Sequence, residues 1–242
     1  MMTPVNFEIH ADADAVARSA AAAISTAAAA STGRFAVCLA GGSTPKRLYE
    51  LLAAPEFRER LPWPRIHWLW GDERFVPRHD PQSNYAMVDA ALLSRAPVPP
   101  ENIHGVPIEG QTPDSSATAY ERTLQSYYGA AGLVRERPLF DVMLLGFGED
   151  GHTASLFPGA AALDERQRWV VAVTGVKPEP RISLTFPALE SSRSVLFLVT
   201  GAAKHGALEA MRRGDVCPAA RVRPTGDVRW LVDRDAAQGR KP

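Results

Sequence analysis

An acid and a histidine stand two residues apart in Gly146-Phe147-Gly148-Glu149-Asp150-Gly151-His152, a glycine-rich stretch directly behind the apolar run Phe140 to Leu145. Imidazole takes up and returns a proton near neutral pH, its ordinary pKa being about 6.5, and a nearby carboxylate can fix its tautomer. Asp150 and His152 are therefore a candidate proton shuttle, the plainer alternative being a turn histidine with its hydrogen bonds satisfied. The apolar run reads as a strand buried on both faces. Glycines let the backbone turn sharply at its carboxyl end, where open α/β sheets keep their chemistry. Gly146, Gly148 and Gly151 also spell G-x-G-x-x-G, the dinucleotide fingerprint. That motif needs a full helix starting inside it and an acid about 20 residues on, at the end of a second strand. Pro158-Gly159 stops a helix within two turns, and Asp164 and Glu165 lie in a polar stretch ahead of the next strand. A nicotinamide cofactor is not expected.

Three further places hold residues suited to binding. Gly41-Gly42-Ser43-Thr44-Pro45 follows the apolar run Phe35 to Ala40 and precedes Leu48, Leu51 and Leu52, which mark one face of a helix. Ser43 or Thr44 can cap that helix, Pro45 suits its first turn, and the free N–H groups at its positive end form a site for an anion such as phosphate. A tight turn that needs only glycine and a cap explains the same residues, since no Walker pattern is present. Arg65 to Trp70 runs into Gly71-Asp72-Glu73-Arg74. On an extended segment Asp72 and Glu73 point opposite ways, so only one faces a site at that edge, while Arg74 can grip an oxyanion through its planar fork. Arg181 begins the run Ile182-Ser183-Leu184-Thr185, and Lys204 stands near the start of a helix after Gly201. Each cation alone reads as a solvated surface charge; both gain meaning only together with the glycine turn.

The elements that would position these groups alternate along the chain. Strand-like runs occur at Val5 to His10, Phe35 to Ala40, Arg65 to Trp70, Phe140 to Leu145, Trp169 to Val173, Arg181 to Phe186, Val195 to Thr200 and Val228 to Val232. Helical patterns lie at Asp14 to Ala30, Pro45 to Ala53, Asn84 to Leu93 with Ser83 as its cap, Ser115 to Tyr128 and Ala202 to Met211. The proline-rich piece Ala96 to Pro107 reads as a loop. This alternation predicts a three-layer α/β fold, a mostly parallel twisted sheet with helices on both faces.

Composition narrows the function classes. With 242 residues, 45% of them hydrophobic, and no low-complexity linker, the chain is expected to form a single domain spanning 1–242. Its 27 basic and 27 acidic residues balance, so the electrostatic footprint of a nucleic-acid or anionic-membrane binder is lacking, and any anion must be held locally. Cys38 and Cys217 have neither a pairing pattern nor metal spacing, which leaves reduced thiols as the default and no metal site. The alanine-rich segment Ala20 to Ala30 follows Asp12 and Asp14 rather than a basic leader, and it reads as a capped helix. A cytoplasmic protein, monomer or small homo-oligomer, is expected.

The glycine turn at Gly41, the segment Trp70 to Arg74, the block from Gly148 to Gly159 and the run Arg181 to Thr185 occur in an order that resembles 6-phosphogluconolactonases, a family related in fold to glucosamine-6-phosphate deaminases. The resemblance implies a Rossmann-like sheet of the deaminase/isomerase type. It also implies hydrolysis of a sugar-phosphate lactone without metal or organic cofactor. In the deaminases a Glu-Pro pair follows the histidine segment, where this chain has Phe157-Pro158, so the deaminase is the less favoured enzyme. Gly201-Ala202-Ala203-Lys204 is similar to the family's lysine motif, with His205 where a small residue is usual.

On this reading His152 is the general base toward water and Asp150 its orienting partner. The Gly41-Gly42 turn, Ser43, Arg181 and Lys204 hold the phosphate, Arg74 assists an oxyanion, and Asp72 lines the site by analogy with the deaminases. A non-catalytic sugar-phosphate sensor is a third reading, disfavoured by the lack of a DNA-binding module or basic face.

Overall fold

Phe35-Ala36-Val37-Cys38-Leu39 is buried at every position, so the sheet is covered on both faces where this strand runs. The computed structural model describes residues 7–239. Its strands are β1 (Phe7–His10), β2 (Phe35–Leu39), β3 (Ile66–Trp70), β4 (Asp72–Arg74), β5 (Ile103–His104), β6 (Phe140–Gly146), β7 (Val170–Val173), β8 (Arg181–Leu184), β9 (Ser192–Val199) and β10 (Asp227–Asp233). Seven of them form one sheet in the order β1-β10-β9-β6-β2-β3-β5, every pair parallel. The mostly parallel α/β architecture expected from the alternation is present, although Val5 and Asn6 of the first expected strand lie outside the described residues.

Two expectations need correction. The runs at Trp169 to Val173 and Arg181 to Phe186 do not join the parallel sheet: β7 and β8 pair antiparallel, and β8 pairs antiparallel with β4 in a separate sheet. Only the short link 174–180 joins β7 to β8, too short for the crossover that parallel neighbours require. The proline-rich loop also carries a single 3₁₀ turn, Pro100–Asn102, and the two-residue β5 at the sheet edge.

Among the helices, Ala13–Ala30 buries Val16, Ala17, Ala20, Ala21, Ile24 and Ala28, and its small side chains let it lie close to its neighbours. Asp12 caps it by accepting from the Ala15 N–H at 2.8 Å, while Asp14 instead pairs with Arg18 and Arg47. No helix among the described residues is long and apolar enough to cross a membrane. Cys38 is buried in β2 and Cys217 is half-buried; both are free.

The sheet changes winding direction between β2 and β6. From β2 the chain moves outward to β3 and β5, and from β6 it moves the other way to β9 and β10. The carboxyl ends of β2 and β6 therefore open onto one crevice, since connections leaving in opposite directions cannot cover the gap between them. Two buried tyrosines tie off the neighbouring strand ends. Tyr49 donates to the Ala40 carbonyl at 2.8 Å and accepts from the Ala40 N–H at 2.9 Å, and Tyr120 does the same at Trp70, at 2.9 and 2.6 Å.

Beyond β3 the chain is anchored by Glu73, which is 2% exposed. Its carboxylate accepts from the backbone N–H groups of Arg74, Asn84 and Tyr85, each at 2.7 Å, and from the Ser83 hydroxyl at 3.3 Å. It thereby closes the 74–83 loop onto the start of the helix Asn84–Val88, whose cap is Ser83. Burial raises the Glu73 pKa and the three N–H donors pull it down, the balance staying above the ordinary carboxylate value. A raised folded-state pKa means that the folded chain binds the proton more tightly than the unfolded chain, so this stabilising contribution is lost as pH rises through that value. The unfolding free energy of the wild type, measured in denaturant relative to Glu73→Gln, should accordingly decline as pH rises from about 4 through the raised pKa of this carboxyl; a difference independent of pH would count against it.

Candidate active site

The crevice is a cavity of about 400 Å³ whose walls come from the ends of both sheets. Behind β2 the backbone passes through Gly41 and Gly42 into the helix Ser43–Ala53. A Cβ on Gly41 would lie 2.1 Å from the Asn84 side-chain oxygen, so glycine is required there by the carboxamide that fills the space. Gly42 adopts φ 112°, a conformation that disfavours any side chain. It is also the helix cap. The expectation that Ser43 or Thr44 caps this helix is wrong, because both already belong to its first turn and no side-chain cap bond forms. The first intrahelical bond is Lys46 N–H to the Gly42 carbonyl at 3.0 Å, which leaves the preceding N–H groups without intrahelical partners. Gly41, Gly42, Ser43 and Thr44 all line the cavity, and Thr44 meets Thr200 hydroxyl to hydroxyl at 2.5 Å.

Behind β6 the chain makes a tight loop. The Gly151 N–H reaches the Gly148 carbonyl at 3.0 Å, and the Gly148 N–H reaches the His152 carbonyl at 2.8 Å. No helix starts in this motif, which agrees with rejecting the dinucleotide fingerprint. The bare Cα of Gly148 makes room for the shuttle itself: a Cβ there would stand 2.0 Å from His152 Nδ1 and 2.6 Å from Asp150 Oδ1. Asp150 Oδ1 lies 2.5 Å from His152 Nδ1 and 3.1 Å from its backbone nitrogen. With the Nδ1 proton held by the carboxylate, Nε2 becomes the basic nitrogen. His152 lines the cavity; Asp150 stands behind it, its side chain 47% exposed against 30% for His152. Burial opposes ionisation of Asp150, yet the His152 backbone N–H, the ring hydrogen bond and the ring charge outweigh it and lower the pKa.

Asp72 and Glu73 do face opposite ways. Asp72 lines the cavity and accepts from the Ser155 hydroxyl at 2.7 Å, whereas Glu73 is turned into the protein. Ser155 is held from the other side as its N–H donates to the Ser183 hydroxyl at 3.1 Å, and Ala154 between these contacts has φ 47°, unusual for a residue with a side chain. The block after His152 is thus pinned by β4 and β8.

Arg74 and Arg181 are register partners across β4 and β8, and both line the cavity. Arg181 therefore stands not on the parallel sheet but on the antiparallel sheet that roofs the cleft. Arg74 Nη1 donates to the Gln82 carbonyl at 2.6 Å, and the Nε atoms of both arginines are buried without a partner. Burial, and next the positive charge of Arg74, lower the Arg181 pKa. Two cations forced together in this way favour an anion between or beside them. Lys204 lines the cavity from the 3₁₀ turn Ala202–Lys204, 3.9 Å from Glu149. Its neighbour His205 is accommodated because Gly239 leaves space beside the ring and the Ala236 carbonyl stands 3.1 Å from Nδ1.

Every expected site residue except Asp150 lines one cavity, and Asp150 is bonded to one that does. Asn84, Thr44, Thr200, Ser155 and Lys177 line it too and were not foreseen as site residues. Asn84 and Thr44 resembled helix-start residues, and Lys177 lies in a loop whose sequence carries no motif. Ser155 and Thr44 sat inside segments already marked as functional.

Residues 11–230 match the family model described as glucosamine-6-phosphate isomerases/6-phosphogluconolactonase. A 6-phosphogluconolactonase of Nostoc is 44% identical over 208 residues, covering 84% of each chain, and one of Synechocystis is 40% identical over 222 residues, covering 90% of this chain and 89% of the other. A crystal structure of 6-phosphogluconolactonase from Thermotoga maritima superposes with a TM-score of 0.80 at 30% identity, over 95% of this chain and 100% of that one. The chain belongs to the glucosamine-6-phosphate isomerase/6-phosphogluconolactonase family.

Proposed function

We propose that this chain hydrolyses 6-phospho-D-glucono-1,5-lactone to 6-phospho-D-gluconate in the oxidative pentose phosphate pathway. The observation that carries the reading is that the Asp150–His152 pair and the amide-rich turn at Gly42 and Ser43 open into one cavity. The first supplies a base and the second an anchor for a phosphoryl group. Phe157 supports the same choice, since a buried phenyl ring lies 4.6 Å from the His152 ring where the related deaminases carry a carboxylate.

A lactone is an activated ester, so one positioned water and one proton shuttle suffice, with neither metal nor organic cofactor. His152 Nε2 takes a proton from water as its oxygen bonds to the carbonyl carbon. The tetrahedral oxyanion collapses, the bond to the ring oxygen breaks, and the imidazolium returns the proton to that oxygen. Asp150 holds the ring and stabilises its charged form, while Asp72 fixes the 153–155 segment through Ser155. Ser43, the N–H groups of the Gly41-Gly42 turn, Arg181 and Lys204 bind the phosphate, and that remote binding energy aligns the carbonyl; Arg74 assists at the oxyanion. We read the chain as one domain over 1–242, cytoplasmic, working as a monomer or small homo-oligomer on a small molecule rather than on nucleic acid or a membrane.

In a coupled assay that follows phosphogluconate from freshly made lactone, with the spontaneous rate subtracted, His152→Ala should lose at least about a hundredfold in kcat. Turnover at the wild-type level would remove His152 from the chemistry.

Arg181→Ala and Lys204→Ala should each weaken kcat/KM for the phosphorylated lactone by roughly tenfold to a hundredfold and leave unphosphorylated gluconolactone nearly untouched. Equal losses on both substrates would refute the phosphate assignment.

Because the Asp150 pKa is lowered, its carboxylate is charged throughout the range in which imidazoles titrate. Replacing it with Asn removes the charge that holds and orients the ring, so kcat/KM at neutral pH should fall by about tenfold or more. An unchanged kcat/KM would show that Asp150 does not govern the histidine.

A further inference from the structure

We propose that Lys177 is a further catalytic residue of this cleft, facing the carbonyl oxygen as it becomes an oxyanion and afterwards one oxygen of the product carboxylate. The inference rests on the lactonase reading above and adds to it a cation at the reacting end of the substrate. Lys177 lies in the link between β7 and β8, where Gly175 at φ 75° turns the chain. Val171 and Val173 of β7 pack with Phe157 in an apolar cluster of their own, so the hairpin is seated on that ring. The link returns over it: Lys177 Nζ is 5.2 Å from the Phe157 ring centroid. The same ring lies 4.6 Å from the imidazole of His152. One phenyl ring, itself 3% exposed and therefore fixed in place, thus has both the ammonium and the imidazole as neighbours.

Lys177 is also the cation least committed to other work. Arg74 is bound to the Gln82 carbonyl, Arg181 is crowded against Arg74, and Lys204 has Glu149 beside it. Among the described residues no carboxylate oxygen lies within 4.0 Å of the Lys177 ammonium, and Glu179 in the same link reaches Gln82 instead. The substrate carries its permanent charge on the phosphate, at the far end from the carbonyl, and develops a second charge only where water attacks. Since the Gly42–Ser43 turn accounts for the first, a cation over the ring that packs against His152 serves the second. As the water oxygen bonds to carbon, the carbonyl electron pair moves onto the oxygen facing Lys177. It returns when the ring oxygen leaves with the proton from His152, and the resulting carboxylate keeps the ammonium as its partner. A flexible four-carbon stem that carries its ammonium over an aromatic ring lets the charge follow this oxygen through both geometries.

The test compares Lys177→Met, which keeps the stem, with Lys177→Arg and wild type. For Lys177→Met, kcat/KM should fall by about tenfold to a hundredfold, and by the same factor on phosphorylated and unphosphorylated lactone, with Lys177→Arg recovering part of the loss. By calorimetry Lys177→Met should bind 6-phosphogluconate at least about tenfold more weakly than wild type, yet bind glucitol 6-phosphate, which lacks the carboxylate, equally well. Unchanged turnover, or weakened binding of both phosphate compounds, would overturn the assignment, the latter by making Lys177 a phosphate ligand. Because the binding arm needs no turnover, it judges Lys177 even if the wild type fails to open the lactone, the result that would sink the lactonase reading itself.

Discussion

The reversal of winding between β2 and β6 is the constraint from which the rest of this molecule follows. Strands that leave a parallel sheet in opposite directions cannot cover the space above their own carboxyl ends, so the peptide groups there need other partners. Tyr49 and Tyr120 supply some of them at Ala40 and Trp70, where the residues that follow leave the parallel sheet. Glycine then appears where a side chain has no room: at Gly41 against Asn84, and at Gly148 beneath His152 and Asp150. The same opening that costs the sheet its hydrogen bonds creates the amide-lined pocket and the turn that carries the imidazole.

Four carboxylates crowd this end of the sheet, and their surroundings give each a different task. Asp150 is partly exposed, bonded to imidazole and lowered in pKa, so it serves the ring as a charge. Asp72 accepts from a hydroxyl and holds backbone. Glu73, one residue on, is sealed from water and bound to three N–H groups, which makes it a fastener for the 74–83 loop. Glu149 stays largely in solvent beside Lys204, where an ion pair contributes little. A catalytic role cannot be read from acidity alone in such a cluster; it follows from which carboxylate touches the group that exchanges protons.

The parallel part of the fold was legible because its strands are continuous apolar runs separated by helical periodicity, as in Phe140–Gly146 and Phe35–Leu39. Asp150 and His152 were legible because local geometry joins them: two residues apart in a glycine turn, they need no tertiary information to meet. What stayed hidden depends on pairing between distant segments. Asp72–Arg74 is too short and too polar to read as a strand, and becomes one only because β8 lies alongside it. Arg181 could be marked as a cation but not placed opposite Arg74, and Asn84 looked like the start of a helix because it is one, its carboxamide reaching the cleft through Gly41. The cap of the helix behind β2 was misjudged for a related reason: Gly42 at φ 112° does the work of ending the loop, so Ser43 and Thr44 are released to face the cavity.

The small antiparallel sheet explains how a single parallel sheet becomes a closed site. Turns at strand ends can present amides and an imidazole from below, but a parallel sheet has no means of placing side chains above its own edge. The strand β4 does so by continuing directly from β3, so that Asp72 and Arg74 leave the main sheet and pair with β8. Through that pairing Arg181 and Ser183 are delivered over the cleft, Ser183 then fixes the Ser155 N–H, and Phe157 receives the underside of β7. Each contact ties the roof to the segment that follows His152, so roof and floor are held in one geometry rather than as two independent parts. That coupling is the physical reason why a loop without any recognisable motif, the link bearing Lys177, ends at the cavity that His152 lines.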